Sequence, residues 1–177
     1  MEIVRLLVQD GSWKAFEEDW SNQCTNTPDE FDNFCPASIN MIRACAEEKS
    51  TANWAIGLTD GKKIMAAAIA IRANQKPHIG HVLRIREVTV CPELDYGVLP
   101  ESLYGDTLIS LLNGAVKLSE SGLRAKHIKM HLRSPSDSVF FKAVGSALDK
   151  SGVFAEVEAH GAWLTISKAS GSLKAIK

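Results

Sequence analysis

Two periodicities alternate along the chain. Ile3-Val4-Arg5-Leu6-Leu7-Val8 is an apolar, β-branched run ended by Asp10-Gly11, and it reads as a first strand. Trp13, Phe16 and Trp20 then recur at helical spacing, with Glu17, Glu18 and Asp19 on the wet side and Ser12 placed to cap the helix. Residues 22–34 are polar, contain Pro28 and read as a loop. Pro36 opens a second helix that turns Ile39, Met41, Ile42 and Ala46 inward and ends at Glu47-Glu48-Lys49. Residues 53–59 and 63–72 read as strands joined by Asp60-Gly61, a strong hairpin signal. The alanines of the second weaken its pattern, while its β-branched ends support it.

His81-Val82-Leu83-Arg84-Ile85-Arg86-Glu87-Val88-Thr89-Val90-Cys91, stopped by Pro92, reads as a central strand that completes an antiparallel meander. Residues 93–100 form a loop punctuated by Gly97 and Pro100. Leu103, Leu108, Leu111, Leu112, Ala115, Val116 and Leu118 give a long helix that Gly122 closes. A loop that delivers a helix N-terminus beside a strand end is a natural anion site, because unpaired N–H groups and the helix dipole favour a phosphate. Residues 127–133 alternate as a strand, parallel to the central one through a right-handed crossover. Ser134-Pro135 starts a helix with Val139, Phe140, Ala143, Val144, Ala147 and Leu148 inward and Gly152 at its end. Residues 153–158 and 162–168 make a last hairpin around His160-Gly161, and 169–177 reads as a frayed tail. The fold class is α/β (α+β): a mixed, mostly antiparallel sheet flanked by helices, in one domain over 1–168.

At 177 residues the chain suits one domain with a full core. Its net charge of −1 lacks the basic excess that a nucleic-acid surface needs. The longest apolar run with little charge, residues 64–71, is far short of a membrane span, and the first eight residues are too short for a secretory signal. A cytoplasmic protein is expected. Cys24, Cys35, Cys45 and Cys91 form no CxxC pair and read as free thiols. Cys91, at a strand end, is either a thiol beside a pocket or a small buried hydrophobe, the second reading being favoured. His127 and His131 share a strand face but stand about 13 Å apart, and His78 and His81 flank Gly80, so no histidine pair and no metal is expected. No Gly-x-Ser-x-Gly, Walker or dinucleotide fingerprint occurs.

The strand end Val88-Thr89-Val90-Cys91-Pro92, the loop containing Gly97 and the helix after Gly105 resemble the GNAT superfamily of acyl-CoA-dependent N-acetyltransferases. The order of elements, β-α-α-β-β-β-α-β-α-β-β, resembles that family too. The resemblance implies an acyl-CoA N-acyltransferase-like sheet, acetyl-CoA as co-substrate and a small-molecule or peptide amine as acceptor. It implies that the central strand splays from its neighbour at a bulge. The pantetheine arm would then lie against backbone at Val88, Thr89 and Val90, and Tyr96, Gly97, Val98, Leu99 and Gly105 would face the diphosphate. The chain departs from the family at two places. It has no basic residue between Pro92 and Asp106, and it has Phe141 before Gly145 where many members carry a tyrosine. These departures keep open a diverged, non-catalytic binding or regulatory module of the same fold. An unrelated α+β protein with a hydrophobic pocket is a third reading.

Amine acetylation needs a polarised thioester carbonyl and a base for the amine proton. Glu87 is the candidate base, since a carboxylate buried on the central strand would titrate high; the competing reading is a structural glutamate paired with arginine. Strand alternation puts Arg84 and Arg86 on one face and Glu87 on the other. Tyr104, at the helix start, is the candidate acid. Ser134 or Ser138 could donate a hydrogen bond, or act only as caps. Asp106 is unhelpful beside a phosphate, or a helix N-terminal acid that the dipole favours. The acceptor would meet residues 13–34 and 160–163, where Asp29, Glu30 and Asp32 either attract a cationic amine or form a solvated acidic loop. Edge strands of the last hairpin would suit a homodimer.

Overall fold

A seven-stranded mixed sheet runs through the molecule in the spatial order β1-β2-β3-β4-β5-β7-β6. The computed structural model describes residues 1–131, 139–141, 143–146, 148 and 154–168. Its elements are β1 (Glu2–Leu6), α1 (Ser12–Cys24), α2 (Pro36–Glu47), β2 (Asn53–Thr59), β3 (Ile64–Asn74), β4 (His81–Val90), α3 (Pro92–Asp95), α4 (Ser102–Leu118) and β5 (His127–His131). Helix α5 is seen over 139–141, 143–146 and 148. The hairpin β6 (Glu156–His160) and β7 (Trp163–Ser167) follows. All lateral pairings are antiparallel except β4 with β5. The mixed, mostly antiparallel sheet flanked by helices is the class expected. Ser134, Ser138, the helix start at 134–137, Ala147, Gly152 and the tail 169–177 lie outside the described residues.

Lateral partners share a face of a sheet. Trp54, Ala70, Ile85, Met130 and Leu164 form one such row. Helix α4 covers this face, with Gly114 against Ile3 and Gly122 against Trp54, and α5 brings Gly145 against Leu164 and Val157. The opposite face includes the row Leu6, Ala55, Ile69 and Arg86. Helices α1 and α2 pack against strands β1 to β4. Trp13, Phe16, Trp20 and Phe34 are buried together, and the Trp20 indole N–H donates to the Ile64 carbonyl at 2.8 Å. Strand β3 tolerates Ala66, Ala67, Ala68 and Ala70 because helices press on it and all four are fully buried. Small side chains there leave room for the larger apolar groups around them.

Several local expectations are corrected. Ser12 is the first residue of α1, not its cap; Gly11 precedes it at φ 82, and the Ser12 hydroxyl instead accepts the Leu7 N–H at 2.8 Å. Met41 is exposed, not inward. On α5, Val139 and Ala143 face out; Phe140, Val144 and Leu148 pack on the core as expected, joined by buried Phe141 and Gly145. Residues 92–95 form a helical turn where a loop was expected. The last hairpin starts later, at Glu156, and turns at Gly161 with φ 56.

Candidate functional site

The site is built around an irregularity in β4. Ala67 lies opposite Thr89 and Ile69 opposite Arg86, so Glu87 and Val88 together stand against Ala68. This is a β-bulge, and Glu87 takes the left-handed backbone conformation, φ 52. The Thr89 hydroxyl closes the bulge by donating to the Glu87 carbonyl at 3.3 Å. The bulge also breaks the side-chain alternation. Instead of pointing away from the arginines, the Glu87 carboxylate lies 3.7 Å from the Arg86 guanidinium and accepts the hydroxyl of buried Ser38 on α2 at 3.2 Å. Strand β4 pairs with β5 only from Val82 to Ile85. From Arg86 to Val90, the stretch that holds Val88, Thr89 and Val90, no strand among the described residues pairs with β4 on that side. Val88 is half-buried, and Thr89 and Val90 are buried.

Beyond the strand end, α3 and the start of α4 enclose a cavity of about 800 Å³ lined by Leu94, Asp95, Gly97, Leu99, Glu101, Ser102, Tyr104, Gly105 and Phe140. It collects four of the expected positions: Gly97, Leu99, Tyr104 and Gly105. Tyr96, Val98 and Glu87 are not in its wall. Gly97 is required by its backbone, φ 69, with open space where a side chain would go. Gly105 serves close packing, because a Cβ there would sit 3.3 Å from the Phe140 ring. Tyr96 is exposed and donates its hydroxyl to Asp29, and that hydrogen bond pushes its pKa up to about 12. Asp29 is therefore engaged by Tyr96 rather than standing free for an amine.

Acetyl-CoA fits this arrangement in one part and not in another. The neutral amide-bearing arm suits strand backbone that no described strand pairs. The diphosphate does not suit the described lining of the cavity, whose charged residues are Asp95 and Glu101 with no lysine or arginine among them. The helix start is also occupied: Leu103 N–H donates to Pro100 at 2.9 Å and Tyr104 N–H to Glu101 at 3.0 Å. Phe141 is buried and offers no proton.

Sequence reading missed the anchor of this region. Glu93 is buried at the first turn of α3, forms an ion pair with Lys63 and accepts Asn26 Nδ2 at 3.1 Å. The hydrogen bond from Lys63 lowers the Glu93 pKa, and the same bond raises that of Lys63. A charged residue directly after Pro92 in an apolar neighbourhood was the available signal. Burial pushes the Cys91 thiol up to about 11, which makes it a small buried apolar group. The histidines differ from expectation: the rings of His78 and His127 stack at 4.6 Å, and His127 Nδ1 meets Ser167 Oγ at 2.9 Å. No group of three or more metal-ligating side chains occurs among the described residues, and no helix among them is long and apolar enough to cross a membrane.

No protein-family model and no curated protein matches the chain. Solved structures do. A glucosamine-6-phosphate N-acetyltransferase from Arabidopsis thaliana is similar at 18% identity and TM-score 0.40, over 81% of this chain and 89% of that one. An N-acetyltransferase from Staphylococcus aureus Mu50 is similar at 12% identity and TM-score 0.47, over 94% and 96%. A GNAT-family acetyltransferase from the same strain is similar at 8% and 0.39, over 94% and 98%.

Proposed function

We propose that the protein is a divergent GNAT-type acyltransferase that moves an acetyl group from acetyl-CoA to an amine. The observation that carries this reading is the bulge at Glu87-Val88. One backbone irregularity coincides with the end of β4–β5 pairing and turns a carboxylate onto the face of Arg86 and Ser38. Acetyl-CoA would supply an activated acetyl carbonyl beside the bulge. Backbone at Val88, Thr89 and Val90 would hold its neutral arm. Glu87 would take the proton of the incoming amine at a carboxylate oxygen, with Ser38 and Arg86 fixing the orientation of that oxygen. Tyr104, in the cavity wall, would protonate the departing thiolate.

The test is thiol release from acetyl-CoA over a panel of amines, matched to N-acetylated product by mass spectrometry. Product formation supports the reading; binding of acetyl-CoA without product from any amine contradicts catalysis. The second reading, a non-catalytic binding module of the same fold, is favoured by two observations: among the described residues the cavity carries Asp95 and Glu101 without a cation, and Phe141 is buried.

A further inference from the structure

The face opposite α4 gathers cations from β4 and β5 around a tryptophan of β7. Asn53, Ile71, Arg84, Lys129, Thr165 and Glu158 form one lateral row, and His131, Trp163 and His160 form the next. The Trp163 indole is the hub. The Arg84 guanidinium carbon lies 5.3 Å from a Trp163 ring centroid, Lys129 Nζ lies 5.2 Å from one, and the His131 ring is 4.7 Å away. Arg86 is two residues from Arg84 along the strand, and among the described residues its ion pair is with Glu87, at 3.7 Å. Among the described residues neither Arg84 nor Lys129 forms an ion pair. The Nε atoms of Arg84 and Arg86 are buried without a hydrogen-bond partner.

Cations set on one ring gain from its π-face but repel one another. Burial, and after it the neighbouring Arg86, lower the Arg84 pKa. The acids of this face do not resolve the excess. Glu158 is two strands from Lys129, about 10 Å at ordinary strand spacing, and Glu156 is further along β6. An arginine fork matches a carboxylate or phosphate in two parallel hydrogen bonds, and Lys129 adds a point charge.

We propose that Arg84, Lys129 and Trp163 bind the anionic group, carboxylate or phosphate, of an amine acceptor whose amino group then lies toward Glu87. That the ligand is the acceptor rests on the acyltransferase reading; that the face binds an anion does not.

Calorimetric titration without any acyl donor tests this, at constant ionic strength, with phosphoethanolamine, β-alanine and ethanolamine as probes. At least one of the two anionic amines binds and ethanolamine does not, which separates phosphate from carboxylate preference within the wild-type protein. Arg84→Gln and Lys129→Gln each weaken that binding about tenfold, as expected for loss of a charge-assisted hydrogen bond. Lys14→Gln, on the exposed face of α1, leaves it unchanged. Equal binding of ethanolamine, no binding of either anionic amine, or binding that survives both substitutions overturns the proposal. If the anionic amines bind but acetyl-CoA is never used, the anion site stands and the acyltransferase reading falls. If ethanolamine is acetylated as well as phosphoethanolamine, the reverse holds.

Discussion

Glu87 owes its role to its backbone. A left-handed conformation costs a non-glycine residue roughly 1–2 kcal/mol, so the surrounding structure must hold it. The Thr89 hydroxyl, the Ser38 hydroxyl and Arg86 all converge on this residue. Alternation along β4 cannot reveal this, because the bulge depends on a one-residue excess over β3 and no glycine marks it. The candidate base was legible as a residue, while its direction was not. Glu87→Gln keeps the shape and removes the proton acceptor. Acetyl transfer should fall by about 10²–10⁴-fold, with the melting temperature within a few degrees of wild type. Steady-state rates with a productive amine check this, and an unchanged rate would place the base elsewhere.

At the scale of elements, the long strands and helices follow from their periods, and the short or rotated ones do not. Helix α3 is a single turn of four residues, too short to show a period. The inward stripe of α5 passes through Gly145, which an apolar pattern does not count, so Phe140, Val144 and Leu148 were placed and the fully buried Phe141 was not. What fixes α3 is the Glu93–Lys63 pair. The Glu93 pKa is lower in the folded protein, so its contribution is fully present above its unfolded value of about 4.3 and is lost as pH falls through the folded value. The Lys63 pKa is raised, so its share is present below about 10.4 and is lost as pH rises through the folded value. Lys63→Met should cost about 1 kcal/mol at pH 7, allowing for the partial exposure of Lys63, and the difference from wild type should shrink below pH 4. Urea melts at pH 7 and pH 3.5 measure it; a difference independent of pH would contradict the account. Strand β3 makes a second prediction. Ala67 is fully buried, so Ala67→Leu overpacks the sheet and should destabilise the protein by about 1–3 kcal/mol in the same melts.

For the whole molecule, sequence order was enough for the sheet and its flanking helices, and for placing the turn cavity beside Gly97 and Gly105. It was not enough for the Trp163 cluster. Arg84, Lys129 and Trp163 lie on three strands that meet only through lateral registers set by the parallel β4–β5 pair and the last hairpin. The absence of basic residues between Pro92 and Asp106 was legible from the sequence. Its consequence, a cavity whose charged lining is acidic, needed the fold. The described residues thus separate their charges: cations gather on the face of β4 and β5 that carries Trp163, and acids line the cavity past the end of β4. On the proposed function, acyl-donor recognition then rests on the neutral arm along β4.

The most direct measurement is a thermal-shift titration with acetyl-CoA, S-acetyl-pantetheine and ADP. A ligand at a hundred times its dissociation constant adds about 2.7 kcal/mol, roughly 5–10 °C for a domain of this length. Shifts of that size with both thioesters and none with ADP are the predicted result. No shift with either thioester at millimolar concentration, or a shift that ADP reproduces in full, would contradict an acyl-donor site on β4.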